Sequence, residues 1–258
     1  MKINYHTHTT RCHHAAGTER EYVEAAIANG IKVLGFADHT PYPFPEDHSH
    51  GIRMRMHELD DYVNTVLALK EEYKDQIEIH LGLEVEYFPQ YFEQLRKELA
   101  GYPIEYFLLA QHLLGNSAPG EFYCGRATDD PAKLTQYCDQ VLAGMETGCF
   151  TYLAHPDLPL FTGDPAHYET QMRRICRKAK EINLPLEINL LGIVEERHYP
   201  NEDFWKIAAE EGCDVFFGID AHKVSHFQYE DNYKRALEIA GKYNLNVLED
   251  VALVDPLL

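Results

Sequence analysis

The sequence has no apolar run long enough to span a bilayer. Its first residues, MKINYHTHT, turn polar after five positions and lack the apolar segment of a secretory leader. Basic residues are scarce: Lys and Arg number 23 against 42 Asp and Glu, a formal net charge of −19. No basic block offers a track for phosphates, so a long nucleic acid or an anionic membrane is a poor fit as partner. The six cysteines include no CxxC pair, and a chain of 258 residues does not need disulfide staples. Reduced thiols and a cytoplasmic location are the expectation. No Ser or Cys elbow of a protein nucleophile is present. No linker, low-complexity tract or internal repeat divides the chain, so residues 1–258 read as a single domain.

What is abundant is alternation. Short apolar runs, KVLGFA, IEIHLGLEV, IEYFLLAQ, FTYLAH, PLEINL and DVFFGID, alternate with helical patterns such as HELDDYVNTVLALKEEYK. In that helix Leu59, Tyr62, Val63, Val66, Leu67 and Leu69 fall on or near one stripe. Continuous apolar strands fit a parallel sheet buried on both faces. About seven strand–helix repeats predict an α/β barrel with outer helices. The proline-rich residues 41–56 read as a loop over one end of it.

Histidine is the other surplus. His6, His8, His13 and His14 crowd the first residues. Asp38 and His39, Glu84, His112, His155, and Asp220 with His222 each fall near the end of a predicted strand. In a parallel barrel those ends open on one face, where such folds carry their chemistry. His6 and His8, at i and i+2 of an extended segment, point the same way. Imidazole and carboxylate are ligands for zinc, manganese or iron. Nine residues (His6, His8, His14, His39, Glu84, His112, His155, Asp220 and His222) exceed what one ion needs, so two or three divalent ions sharing a carboxylate fit the count. His48, His50, His57, His80, His167, His198 and His226 read as ordinary polar residues, with His13 a bystander beside His14.

The ordered motifs HTHTTRCHH, ADHTP, GLEVEYFP, AQHLLG, AHPDL and GIDAH resemble those of the PHP (polymerase and histidinol phosphatase) superfamily, and most nearly its histidinol-phosphate phosphatase branch. The resemblance runs from His6 to His222. It implies a distorted (βα)7 TIM-like barrel and a trinuclear metal centre. By motif it would place His6, His8, Glu84 and Asp220 on one ion, Glu84, His112 and His155 on a second, and His14, His39 and His222 on the third. The activity it implies is hydrolysis of a small phosphate monoester, L-histidinol phosphate to L-histidinol and phosphate in histidine biosynthesis. The alternative is a PHP phosphoesterase acting on a nucleotide or another small phosphorylated metabolite. The branch tends to carry a basic residue after its AHPD-type motif; here Leu158, Pro159, Leu160 and Phe161 follow.

Phosphate recognition recruits arginine, whose planar fork matches two oxygens. Arg197, just beyond PLEINL, is the expected phosphate clamp, unless it merely pairs with Glu195 or Glu196. Arg53 and Arg55 in the proline-rich loop are second candidates. Asp220 is expected to share in catalysis.

Overall fold

The computed structural model describes residues 1–45, 51–115 and 122–258. His48 and His50 lie outside the described residues. Eight parallel strands form one sheet in sequence order: β1 (Ile3–Asn4), β2 (Val33–His39), β3 (Glu78–Val85), β4 (Tyr106–Leu109), β5 (Tyr152–Leu153), β6 (Leu186–Asn189), β7 (Asp214–Gly218) and β8 (Asn246–Val247). The register β2–β3 is the longest, from Val33 opposite Glu78 to His39 opposite Glu84. The sheet curls until the chain beyond β1 meets the chain beyond β7. There Thr7 bridges Ala221, with His8 N donating to Ala221 O at 2.9 Å. The short β8 was not foreseen; it joins β7 at the other end, through Asp214 and Val215.

The helices α1 (Glu19–Ala28), α2 (Leu59–Glu72), α3 (Phe92–Leu99), α4 (Pro131–Glu146), α5 (Pro165–Ile182), α6 (Leu190–Val194), α7 (Glu202–Glu210) and α8 (Glu230–Lys242) lie between strands. Their starts follow capping chemistry. Thr18 and Glu21 form a capping box on α1, while Asp130, Asp164 and Asn201 accept from the first turns of α4, α5 and α7. Each such cap stabilises by about 1 kcal/mol. The expected stripe of α2 buries Leu59, Tyr62, Val63, Val66 and Leu69, each large side chain contributing about 1.5–3 kcal/mol. α6, directly after β6, was not foreseen. Its single turn forms because Asn189 Oδ1 accepts Gly192 N.

A second core fills the barrel interior with Tyr5, Ala37, Tyr106, Leu108, Ala110, Tyr152, Ala154 and Phe216. Tyr106 fits because β2 and β3 present Gly35 and Gly82 to it; a Cβ at either would lie 2.2–2.3 Å from its ring or hydroxyl. Side chains alternate along a strand. The inward columns therefore run Gly35–Ala37–His39, Gly82–Glu84–Glu86, Tyr106–Leu108–Ala110–His112 and Phe216–Gly218–Asp220. Apolar residues plug the amino end of each column, and polar residues surface at the carboxyl end.

Candidate metal centre

Glu84 stands at the middle of the carboxyl-end mouth. Its Oε1 lies 2.9 Å from His155 Nε2, 3.3 Å from His6 Nε2 and 3.7 Å from His112 Nε2. Its Oε2 lies 2.9 Å from His39 Nδ1 and 3.7 Å from His8 Nε2. Asp220 Oδ1 forms a second focus, 3.0 Å from His8 Nε2, 3.2 Å from His222 Nδ1 and 3.5 Å from His6 Nε2. His222 Nε2 faces His14 Nε2 at 3.0 Å. All nine residues singled out from the sequence thus meet at one mouth. Their ligating atoms converge to within 4.8 Å in sets: His6–His8–Glu84, His6–His155–Asp220, His39–Glu84–His112 and His14–His39–His222.

The donor set fits metal ions on an observation independent of motif. Among the buried side-chain atoms without a hydrogen-bond partner are His6 Nε2, His8 Nε2, Glu84 Oε2 and Asp220 Oδ1. Leaving such atoms unpaired away from water is costly. They lie at one mouth, and cations held there would satisfy them.

The cluster has a floor and a rim. At the floor, His6, His8, His155 and Glu84 are almost wholly buried. At the rim, His14 is exposed and His112 half-buried. Burial opposes charge on His6, yet Glu187, Asp220 and Glu84 around it raise its pKa well above the ordinary value. His8 behaves likewise: burial is outweighed by Asp220 and Asp38. His155 is also raised, by Glu84 against the effect of burial. His39, buried just under the rim, and the two rim residues shift the other way. Burial takes His39 well below its usual range and His112 down to about 4, and burial with neighbouring His222 lowers His14. Burial also opposes ionisation of Glu84, but His39, His112 and His6 hold its carboxyl well below the usual range. Asp220 is held low against burial by His6 and His222.

Two ligand candidates have unusual backbones: φ is 29° at His155 and 55° at Asp220. Left-handed geometry at such residues is a cost that functional sites tend to carry. At His155 it breaks the alternation after Tyr152 and Ala154 and brings the ring to Glu84.

The cavity over the cluster measures ≈ 330 Å³ and is walled by Ile52, Tyr123, Leu158, Leu191, Arg197 and Tyr199 besides the ligand candidates. Arg197 therefore reaches the site, and it is also paired. Its Nε and Nη2 donate to Glu195 Oε2 at 3.0 and 2.6 Å, and Nη1 donates to Tyr199 OH at 2.7 Å. Arg53 and Arg55, the second candidates, do not line this cavity. Arg53 is buried on Glu86, with the rings of Tyr42, Phe44 and Phe88 within 6.0 Å of its guanidinium carbon. The reason is Glu86 itself, two residues beyond Glu84, an inward carboxylate that draws the guanidinium. Glu86 also accepts the His112 and Leu113 amides. Arg55 is exposed, with its amide donating to Glu58.

Several site residues escaped the sequence reading. Glu187 and Asn189, on β6, are buried beneath the cluster. Asp38, noted as a strand-end acid but left out of the nine, holds Thr9 Oγ1 and lies 3.3 Å from His8 Nδ1. Cys12 brings its sulfur within 4.8 Å of ligating atoms of His8 and His222. A signal for Glu187 and Asn189 did exist: LEIN sets two polar residues at i and i+2 at a strand end, the pattern already used for His6 and His8.

Comparison with known proteins finds a match to the PHP domain family model over residues 4–190. A probable histidinol-phosphatase of Deinococcus radiodurans is 28% identical over 259 residues, covering 92% of this chain and 93% of its own length. A histidinol-phosphatase of Bacillus subtilis is 30% identical over 99 residues, covering 37% of each chain. Among solved structures, histidinol phosphate phosphatase from Lactococcus lactis, complexed with zinc, L-histidinol and phosphate, superposes with a TM-score of 0.75 at 19% identity. It covers 99% of this chain and 97% of its own.

Proposed function

The chain belongs to the PHP domain family, and from that premise we propose that it is a metal-dependent phosphomonoesterase that converts L-histidinol phosphate to L-histidinol and phosphate. The observation that carries the reading is the ring of imidazoles around Glu84 and Asp220, with unpartnered ligating atoms facing a cavity that also holds Arg197. Sequence support is the similarity to a probable histidinol-phosphatase along nearly the whole chain.

Two or three divalent ions would be held by the sets the motif order suggests: His6, His8, Glu84 and Asp220; Glu84, His112 and His155; His14, His39 and His222. Imidazole with carboxylate suits zinc, manganese or iron. Bound there, such ions supply charge neutralisation for the phosphoryl oxygens and a lowered pKa for water. The chain's own residues do the rest. Arg197, at the cavity wall, orients the phosphate with its planar fork, while Glu195 and Tyr199 hold the guanidinium in place. Ile52, Leu158 and Leu191 exclude water above the floor. Tyr123 and Tyr199 offer faces to a flat leaving group such as an imidazole. Asp220, held ionised, accepts rather than donates a proton, so its part is to bind the cation and align His8 and His222.

A second reading keeps the chemistry and changes the alcohol, to a nucleotide or another small phosphorylated metabolite. It is favoured by Leu158, which faces the cavity where the branch tends to carry a basic residue nearby. In either case the net charge of −19 disfavours a long nucleic acid. Among the described residues no helix is long and apolar enough to cross a membrane, and all six thiols are free and buried. The single sheet supports one domain over residues 1–258.

The test is release of inorganic phosphate from a panel of histidinol phosphate, nucleoside monophosphates and other small phosphoesters, with Mn²⁺ or Zn²⁺ added. Histidinol phosphate is expected to give the highest kcat/KM. Cleavage of an amide or lactone with no phosphate released overturns the reading. Arg197→Ala is expected to raise KM and lower kcat with metal content unchanged, a loss of about 1.5–3 kcal/mol, or roughly 10- to 150-fold in kcat/KM.

A further inference from the structure

We infer that Glu187 is the positioning residue of the metal centre: one buried carboxylate that fixes the ring of His6 and braces two other ligands contributed by different strands. The inference rests on the metal-dependent reading of the site.

Glu187 is fully buried on β6 and belongs to none of the ligand sets named above. Its Oε1 lies 2.8 Å from His6 Nδ1. A carboxylate there demands a proton on Nδ1, which leaves Nε2 as the ligating atom. Nε2 faces Glu84 Oε1 at 3.3 Å and Asp220 Oδ1 at 3.5 Å and has no hydrogen-bond partner. The other oxygen is equally engaged. Oε2 accepts the His155 backbone N–H at 3.0 Å and Asn189 Nδ2 at 2.9 Å. Asn189 cannot turn its amide around, because its Oδ1 takes the Gly192 N–H at 3.2 Å. Its Nδ2 therefore also donates to Asp220 Oδ2 at 3.0 Å. One carboxylate thus reaches the His6 ring directly, the His155 backbone directly and Asp220 through Asn189.

The two braced ligands, His155 through its backbone N–H and Asp220 through its carboxylate, are the two with left-handed backbones. Ligands in costly conformations need neighbours that over-determine them, and this network supplies such neighbours. The fold also clears space for it. Gly218 on β7 lies beneath Glu187, and a Cβ there would stand 1.8 Å from Glu187 Oε1. The φ of Gly218 is not in the left-handed region, so the reason for glycine at this position is room for the carboxylate.

Glu187→Gln preserves shape and removes the acceptor on one side. If the new amide nitrogen replaces Oε1, it donates to His6 Nδ1, and the ring proton moves to Nε2, where it blocks ligation. If it replaces Oε2, it opposes the His155 N–H and Asn189 Nδ2, both donors. Gly218→Ala displaces the same carboxylate from below without touching a ligand.

The experiment measures Zn²⁺ affinity by chelator competition for the wild-type chain and both variants, with thermal melting of each metal-free form. It adds imidazole ¹⁵N shifts of the zinc-loaded wild type. Loss of partners around a metal ligand typically weakens affinity about 10- to 100-fold, and a loss of that size is expected for the tightest Zn²⁺ in both variants, with metal-free melting largely kept. In the wild type, His6 is expected to ligate through Nε2 with Nδ1 protonated. Unchanged Zn²⁺ affinity in a folded variant overturns the inference, and so does His6 ligation through Nδ1 in the wild type. Lowered metal-free melting with full affinity marks a purely structural role and rejects it too. None of these readouts needs a substrate, so failure of the phosphatase reading shows separately, in the phosphate-release panel.

Discussion

The floor of the cluster and its rim are held by different means. At the floor, two of the three imidazoles turn Nδ1 to a carboxylate: His6 Nδ1 meets Glu187 and His8 Nδ1 meets Asp38, while His155 Nδ1 has no hydrogen-bond partner. At the rim, His14 Nδ1 pairs with Cys12 O at 2.8 Å, His222 Nδ1 lies 3.1 Å from Asp220 O and 3.2 Å from Asp220 Oδ1, and His112 Nδ1 has no hydrogen-bond partner. A carboxylate behind an imidazole raises its basicity and fixes its orientation more strongly than a neutral carbonyl does. Proton affinities divide along the same line, raised at His6, His8 and His155 and lowered at His14, His39 and His112. An ion at the floor is therefore expected to be held more tightly than one at the rim.

The strongest way to break this contrast is to remove what the two halves share. Glu84 touches His6, His8 and His155 at the floor and His39 and His112 at or just under the rim. Glu84→Gln is expected to lose more than one ion per chain and to reduce kcat/KM by several kcal/mol, about a thousandfold or more. Elemental analysis beside a phosphate-release assay checks both; full metal content would show that the carboxylate is not shared.

A pH series on the metal-free chain sharpens the contrast through sign. His112 has its pKa lowered by burial to about 4, from 6.5. The unfolded chain then binds the extra proton between those values. Its contribution to stability is complete above pH 6.5 and is lost as pH falls towards 4, by up to about 3 kcal/mol. His6, raised at the floor, works oppositely: its contribution is complete below pH 6.5 and is lost as pH rises through the folded value. Urea unfolding across this range should therefore show a flatter acid limb for His112→Gln than for wild type. Parallel limbs would contradict the assignment.

The mildest intervention is at the exposed edge. His14→Ala is expected to release one ion while the floor keeps its own, with kcat/KM falling by less than about a hundredfold, the low end of what an ion supplies. Stepwise metal analysis during dialysis against chelator checks the order of release. Loss of the floor ion first would reverse the comparison.

The floor–rim division was not legible in the sequence, although most of its members were. Strand-end histidines and acids stand out because period two and a shared carboxyl end are visible in one dimension. Glu187 was passed over because PLEINL reads as an apolar strand, and its partner His6 lies 181 positions away. Arg53 misled for the opposite reason. Its loop position suggested a phosphate contact, whereas burial on Glu86 depends on a contact across 33 positions. β8 and α6 are too short for any periodicity, two and five residues. What fixes α6 is a side-chain cap from Asn189, the same amide that braces Asp220.

The most direct test of the central claim is the number of ions held by the purified chain at saturation with Zn²⁺ or Mn²⁺, measured by elemental analysis against protein concentration. Two or three ions per chain are predicted, since Glu84 and Asp220 each face several imidazoles that one ion leaves unused. A single ion, or none, would contradict it.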